Sequence, residues 1–136
     1  TAMYTVLVDG DDMNDPIADA VRGILDGHII LDRDLAVQGR YPAIDPLASL
    51  SRLAAKLWSE SQQVMATVTR DALAAAAEVS ELVEVGAYVP GSNPRADRGL
   101  RAAPRLIEFL KQPPNEAAPM EASWDRLAAI LQEVAA

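Results

Sequence analysis

The chain has 136 residues, is 50% hydrophobic, carries a formal net charge of −8 and has no cysteine. That length suits one globular domain with a real core, and the missing thiols exclude disulfides and thiolate metal sites. The acidic balance argues against broad contact with phosphate backbones, so no nucleic-acid partner is expected. The longest apolar runs, Ala72–Ala77 and Leu127–Leu131, fall far below the roughly 20 residues of a membrane span, and Thr1–Val8 lacks the pattern of a secretory signal. A cytoplasmic location is expected.

The first element is Met3–Val8, an apolar run with β-branched and aromatic residues that reads as a buried strand leaving a sheet at Asp9-Gly10-Asp11-Asp12. A helix follows from Pro16, with Ile17, Ala20, Val21, Ile24 and Leu25 on its apolar face and Gly27 to stop it. His28–Leu31 reads as a second strand and Asp32–Gln38 as a short helix ended by Gly39. The segment from Tyr41 to Pro46 is expected to be extended, because Pro42 and Pro46 each push their predecessor out of the helical region.

After Arg52, Ala, Leu, Glu and Gln dominate and the strand-like patterns end. A long helix is expected from Glu60 to Val85, burying Val64, Val68, Leu73, Ala77 and Val79 and stopping at Gly86. Pro90-Gly91-Ser92-Asn93-Pro94 marks a loop, and Asn93 is placed to cap a helix that runs to Leu110 or Lys111, with Pro104 expected to kink or divide it. Pro113-Pro114 and Pro119 mark another loop before a closing helix, Ala122–Val134, with Trp124, Leu127, Ile130 and Leu131 on one face.

The fold class is therefore an α/β remnant followed by an all-α helical bundle, mostly helical overall, with residues 1–56 in the first unit and 57–136 in the second. One or two strands cannot complete an α/β domain, so the first unit is expected to be the end of a larger sheet.

The acidic group Asp9, Asp11, Asp12, Asn14 and Asp15 lacks the glycine and glutamate of an EF-hand loop, and turns and helix starts need these residue types anyway. No metal site is expected. His28 is the only histidine, which leaves no histidine cluster for a metal, and Ser49 and Ser51 have no partnered histidine nearby for a hydrolase triad. Arg98, Arg101 and Arg105 share a helix face by spacing; they read either as a solvated face or as a contact for an acidic partner.

Tyr4-Thr5-Val6-Leu7-Val8-Asp9-Gly10-Asp11-Asp12, then Asp15-Pro16-Ile17-Ala18-Asp19, Ile24-Leu25-Asp26-Gly27-His28-Ile29-Ile30-Leu31, Tyr41-Pro42-Ala43-Ile44-Asp45 and Ser49-Leu50-Ser51-Arg52 resemble, in order and spacing, the flagellar and type III secretion export ATPases. Leu82-Val83-Glu84-Val85-Gly86-Ala87-Tyr88 and Gly91-Ser92-Asn93-Pro94 extend the resemblance into the helical unit, and the form of Ile17–Gly27 and Gly39–Ile44 looks more flagellar than injectisome-like. The family is similar to the catalytic subunits of rotary ATP synthases and works as hexameric rings with nucleotide at subunit boundaries. The resemblance implies the C-terminal end of a RecA-like ATPase domain followed by the family's helical domain. An injectisome ATPase or a rotary synthase subunit remains the alternative within this class, and a non-catalytic module binding stalk or chaperone proteins the alternative outside it.

Several residue roles follow from the resemblance. Arg52 matches the arginine finger that reaches into a neighbour's site and stabilises charge on the transferring phosphoryl group, a task suited to a planar, permanently charged guanidinium. Tyr41 matches an aromatic that packs against adenine, and Phe109, in Phe109-Leu110-Lys111-Gln112-Pro113, matches a second adenine segment, although Pro114 stands where relatives tend to carry another aromatic. Read without the family, Arg52 is an ion-pairing surface arginine and Tyr41 a plug for a core or sheet edge. No Gly-x-x-x-x-Gly-Lys-Ser/Thr loop occurs in the sequence, so ATP and Mg2+ belong to the parent protein; none is expected tightly bound to these residues, which alone should not hydrolyse ATP. Implied partners are the other subunits of a homo-hexamer and central-stalk, stator and export-chaperone proteins, with peripheral membrane association through the export apparatus.

Overall fold

The structure is a computed structural model and describes residues 2–8 and 16–135. The acidic turn at Asp9, Asp11, Asp12, Asn14 and Asp15 lies outside the described residues. The elements in order are α1 (Pro16–Ile24), β1 (Gly27–Leu31), α2 (Arg33–Val37), β2 (Ile44–Ser51), α3 (Ala54–Leu57), α4 (Glu60–Glu78), α5 (Ser80–Glu84), α6 (Pro94–Leu110) and α7 (Met120–Ala135). A two-stranded sheet with its short helices is thus followed by a helical unit, as expected.

The first expected strand is not formed. Ala2–Val8 enters no ladder among the described residues, and Met3 and Leu7 are 88% and 94% exposed. A strand is held by neighbours that take its backbone groups, and β1 and β2 pair only with each other. The apolar face of α1 is likewise uncovered: Ile17 and Ile24 are exposed and only Ala18 is buried.

β1 begins at Gly27, one residue earlier than expected, and its partner was not foreseen. β2 runs antiparallel to it, pairing Gly27 with Ser51, His28 with Leu50, Ile30 with Asp45 and Leu31 with Ile44. Between the last two and first two pairs, β2 spends extra residues, so Pro46–Ser49 bulges out of the ladder. A bulge is where a strand tolerates Pro46, which has no N–H to give. Asp45 closes the bulge, its Oδ1 accepting from Leu47 N at 2.7 Å and Ala48 N at 3.1 Å, and Ser49 Oγ accepts the Ile30 N–H at 3.0 Å in place of a ladder carbonyl.

α4 starts at a capping box: Ser59 Oγ accepts the Gln62 N–H at 3.3 Å and Gln62 Oε1 accepts the Ser59 N–H at 2.9 Å. The expected long helix is interrupted. α4 ends at Glu78, Val79 leaves helical geometry with ψ near 4°, Ser80 Oγ donates to Ala77 O, and α5 continues to Glu84. Gly86, at φ 69°, then stops it in the left-handed region that favours glycine. Val64 and Val68 are 58% and 48% exposed and Ala77 is exposed, against expectation, while Leu73 and Val79 are buried as expected. The face α4 turns inward is set by α6, whose close approach buries Ala75 beside Leu73 and leaves Val64 and Val68 outside.

That approach is a small-residue crossing. A Cβ on Gly99 would stand 2.7 Å from Ala72 O and 2.8 Å from Ala76 N, so only glycine lets the two backbones come this near. Asn93 Oδ1 caps α6 through Arg95 N and Ala96 N, and the helix passes Pro104 undivided. The core lies where α4, α6 and α7 meet, around Leu73, Ala102, Leu106 and Leu127, with Leu106 fully buried. Trp124 on α7 meets Trp58, just before α4, edge to face at 5.4 Å, closing the bundle at that end. α7 begins at Met120, two residues earlier than expected.

Candidate functional site

β2 carries the sequence-predicted residues at its two ends: Tyr41 three residues before its start and Arg52 directly after its end. Each end is tied down by its backbone. The Arg52 N–H donates to Asp26 O at 2.8 Å, extending the β1–β2 pairing by one residue. At the other end Tyr41 O accepts the Gln112 N–H at 2.8 Å, and the Tyr41–Pro42 peptide is cis.

The Gln112 bond was not foreseen, yet it joins the two segments singled out as an adenine environment, Tyr41-Pro42 and Phe109–Pro113. Their aromatic rings are differently placed. Tyr41 is 57% exposed, whereas Phe109 is half-buried, packs against the helical core and has the Arg126 guanidinium 5.8 Å from its ring centroid. One flat face is therefore presented to solvent and the other is engaged by a cation.

Arg52 is exposed, and its Nη2 donates to the carbonyl of Arg22 at 3.4 Å. Among the described residues it makes no ion pair, although the chain is rich in carboxylates. The guanidinium is held in place by a neutral acceptor and keeps most of its donors.

Arg70 on α4 was missed altogether. Its Nη1 donates to Pro46 O and, at 3.3 Å, to Ser49 O, while Nη2 donates to Leu47 O at 2.9 Å. Leu47 also packs against the helical core. The bulge of β2 is thus seated on α4 by polar and apolar contacts together. An Asp-Pro pair followed by Ser49 is the one sequence signal for such a turn; nothing marks Arg70 itself, because side chain to backbone contacts across more than 20 residues leave no periodic trace.

The far end of the helical unit is organised by Asp97. Its Oδ1 accepts the Tyr88 hydroxyl at 2.9 Å and its Oδ2 accepts the Gly91 N–H at 2.9 Å, shaping the loop between α5 and α6. Burial first, and then the Asp97 carboxylate, hold the Tyr88 hydroxyl protonated above its ordinary range. Arg95 bridges α6 to α4 through Glu78 at 2.7 Å and Asp71 at 2.8 Å, and these two bonds raise its pKa further. Arg98 and Arg101 are exposed beside this network, and Arg105 lies 3.4 Å from Glu133 of α7. No group of His, Asp or Glu among the described residues could hold a metal ion, and no described helix is long and apolar enough to cross a membrane.

Comparison with known proteins gives this arrangement a context. Residues 1–51 match the ATP synthase alpha/beta family, nucleotide-binding domain, and residues 58–129 match the T3SS EscN ATPase C-terminal domain. Flagellum-specific ATP synthases of Agrobacterium fabrum and Bacillus subtilis are 47% and 48% identical over 96% and 90% of this chain, and the SPI-2 type 3 secretion system ATPase of Salmonella typhimurium is 44% identical over 98%. The chain spans 28%, 28% and 31% of those relatives' lengths. Among solved structures, the assembled ATPase EscN of the enteropathogenic E. coli type III secretion system superposes with a TM-score of 0.89 at 34% identity, covering 96% of this chain and 32% of that one. EscN in complex with its central stalk EscO superposes with a TM-score of 0.79 at 31% identity, covering 85% of this chain and 29% of that one. With both units matched in order and the helical unit matched over residues 58–129, the chain belongs to the family of flagellar and type III secretion ATPases and corresponds to their C-terminal part.

Proposed function

We propose that this chain is the part of a ring-forming ATPase that completes a neighbouring subunit's nucleotide site through Arg52, in a parent protein that hydrolyses ATP with Mg2+ to drive flagellar or type III protein export. The observation that carries the reading is the state of Arg52. In a chain of net charge −8 its guanidinium is exposed, bonded to a backbone carbonyl and without a carboxylate partner among the described residues. Arg22, Arg95 and Arg105 each meet a carboxylate, whereas Arg52, like Arg40, Arg98 and Arg101, meets none among the described residues, and of these four only Arg52 has its guanidinium held by a backbone carbonyl. A guanidinium that must meet a developing phosphoryl charge is better kept free of one.

The residues present fit two parts of a nucleotide site. The open face of Tyr41 suits the base, with Phe109 supporting that environment from behind through the connector that ends in Gln112, and Arg52 suits the phosphoryl group of a neighbour. When bound, ATP would supply the phosphoryl group that is transferred to water, with ADP as the leaving group; this chain's residues orient the base and place a positive charge against the transferring group of a neighbour. A Gly-x-x-x-x-Gly-Lys-Ser/Thr loop to cradle the phosphates is not in this sequence, and in this reading the rest of the parent protein supplies it. A division at residues 1–56 and 57–136 follows the same logic: the first unit carries Tyr41 and Arg52, and the uncovered apolar faces of α1 and β1 suit packing against more of an α/β sheet. The second unit is the partner-binding part. Exposed Leu82, Val85 and Val89 around the Asp97-shaped loop, beside Arg98 and Arg101, support contact there with a central-stalk protein, and stator and export-chaperone proteins are further partners that would bring the ring to the membrane apparatus.

In assembled rings of the full-length protein, Arg52→Ala is expected to lower kcat by about 10³-fold or more while leaving the KM for ATP nearly unchanged, because the charge it meets exists in the transition state. Undiminished steady-state turnover in such rings would return Arg52 to the role of an ordinary surface residue.

A further inference from the structure

The carbonyl oxygens of residues 45–49 form an unbroken run, and each is met by a side chain. Ser49 Oγ donates to Asp45 O at 2.6 Å, Arg70 donates to Pro46 O, to Leu47 O at 2.9 Å and to Ser49 O at 3.3 Å, and His28 Nε2 stands 3.2 Å from Ala48 O. Bulged backbone has lost its ladder partners, so its carbonyls need others. What distinguishes this bulge is where they come from. His28 and Ser49 belong to the sheet itself, but three of the five carbonyls are taken by one guanidinium on α4.

The carbonyls it takes lie just upstream of Arg52 in the chain. β2 leaves the bulge at Ser49, pairs again at Leu50 and Ser51, and presents Arg52 next. Three residues of extended backbone span roughly 10 Å, too short a tether to absorb a displacement of the bulge. The same strand is held to the helical unit at its other end, where Gln112 N–H binds Tyr41 O. β2 is therefore tied to the helical unit twice, at its bulge by α4 and ahead of its start by the connector that follows α6. A planar fork can span carbonyls spaced along irregular backbone, as an ammonium point charge cannot.

We propose that Arg70 is a positioning residue for Arg52: by fixing the Pro46–Ser49 bulge to α4, it lets the helical unit set where the Arg52 guanidinium is presented to the neighbouring subunit. The inference rests on the trans role of Arg52. Arg70 touches no reacting atom and acts on the rate through geometry alone.

The test is a double-mutant cycle in full-length rings, read as kcat and KM for ATP, with assembly checked by size exclusion. Arg70→Ala is expected to lower kcat roughly 10- to 100-fold, the cost of a displacement of about 1 Å at a charge-stabilising group, with KM changed by less than about twofold. Arg70→Lys should recover part of the loss by reaching one carbonyl. R52A/R70A should be no slower than R52A, since Arg70 has nothing left to position. If R52A loses its turnover while R70A keeps it, or if the two losses multiply in the double variant, the positioning role is overturned. If R52A itself keeps full turnover, the trans assignment falls and this inference falls with it. Should R70A fail to assemble, R70Q carries the same cycle with the same outcomes.

Discussion

Tyr41 offers a flat ring to solvent while its own backbone is held rigidly by Pro42 on one side and the Gln112 N–H on the other. A stacking platform needs that combination, a free face on a fixed stem. Tyr41→Ala in the full-length protein is expected to raise the KM for ATP roughly tenfold, the scale of one base-stacking contact, and to change kcat far less. Tyr41→Phe, which keeps the face, should stay near the parent value. Normal nucleotide affinity in the alanine variant would make Tyr41 a sheet-edge plug. Phe109 differs in kind: with its ring packed against the core and faced by Arg126, it anchors the connector that ends at Gln112, so its replacement should loosen the bundle and Tyr41 together. At this scale Tyr41 and Arg52 could be singled out from short motifs, because each stands in a local run of fixed spacing, and their roles remain proposals. Arg70 was not, because its partners lie 21 to 24 residues away and are backbone atoms without side-chain identity.

Among the elements, α4 and α6 make the most extensive contact, and it depends on small residues. Gly99→Val would place side-chain atoms against Ala72 O and Ala76 N, where even a Cβ has only 2.7 and 2.8 Å. The helices must part, so the variant should lose about 1–3 kcal/mol or more in denaturant unfolding, as overpacked cores do; unchanged stability would mean that the crossing is looser than described. The loop joining α5 to α6 rests on one carboxylate. Asp97→Asn turns one of two acceptors into a donor facing a hydroxyl or an amide, and hydrogen exchange at Gly91 N–H should speed up relative to the amides of α6. The starts of α4 and α6 were readable because caps are local: Ser59 and Asn93 stand where their chemistry demands. The expected burial of Val64 and Val68 failed for the complementary reason. An alanine-rich helix has apolar residues on several faces, and the choice among them belongs to the partner, here the face of α6 carrying Ala96, Gly99 and Ala103.

For the whole molecule, the helical unit closes a core of its own around Leu106, and Leu106→Ala is expected to cost about 2–5 kcal/mol by thermal or denaturant unfolding. A loss much below that would place the core elsewhere. The sheet unit is different: Met3 and Leu7 lie in a run read as a buried strand, and Ile17 and Ile24 on the apolar face of an amphipathic helix, yet all four stand exposed. Pattern encodes the face an element intends to cover, and cover comes from whatever packs on it. The alternation of units along the chain was therefore legible while the partner of Met3–Val8 was not, and β2 was half-seen because Pro46 argues against a strand unless a bulge is there to receive it.

The central claim is that Arg52 acts across a subunit boundary, and complementation tests it most directly. Full-length R52A subunits, with their own phosphate-binding loop intact, are mixed with subunits that keep Arg52 but carry an inactivating change in that loop. Each type alone should be nearly inactive. Co-assembled rings are predicted to regain ATP turnover, because boundaries now exist where an intact loop faces an intact Arg52. Mixed rings that assemble but remain as inactive as their parents would contradict the account.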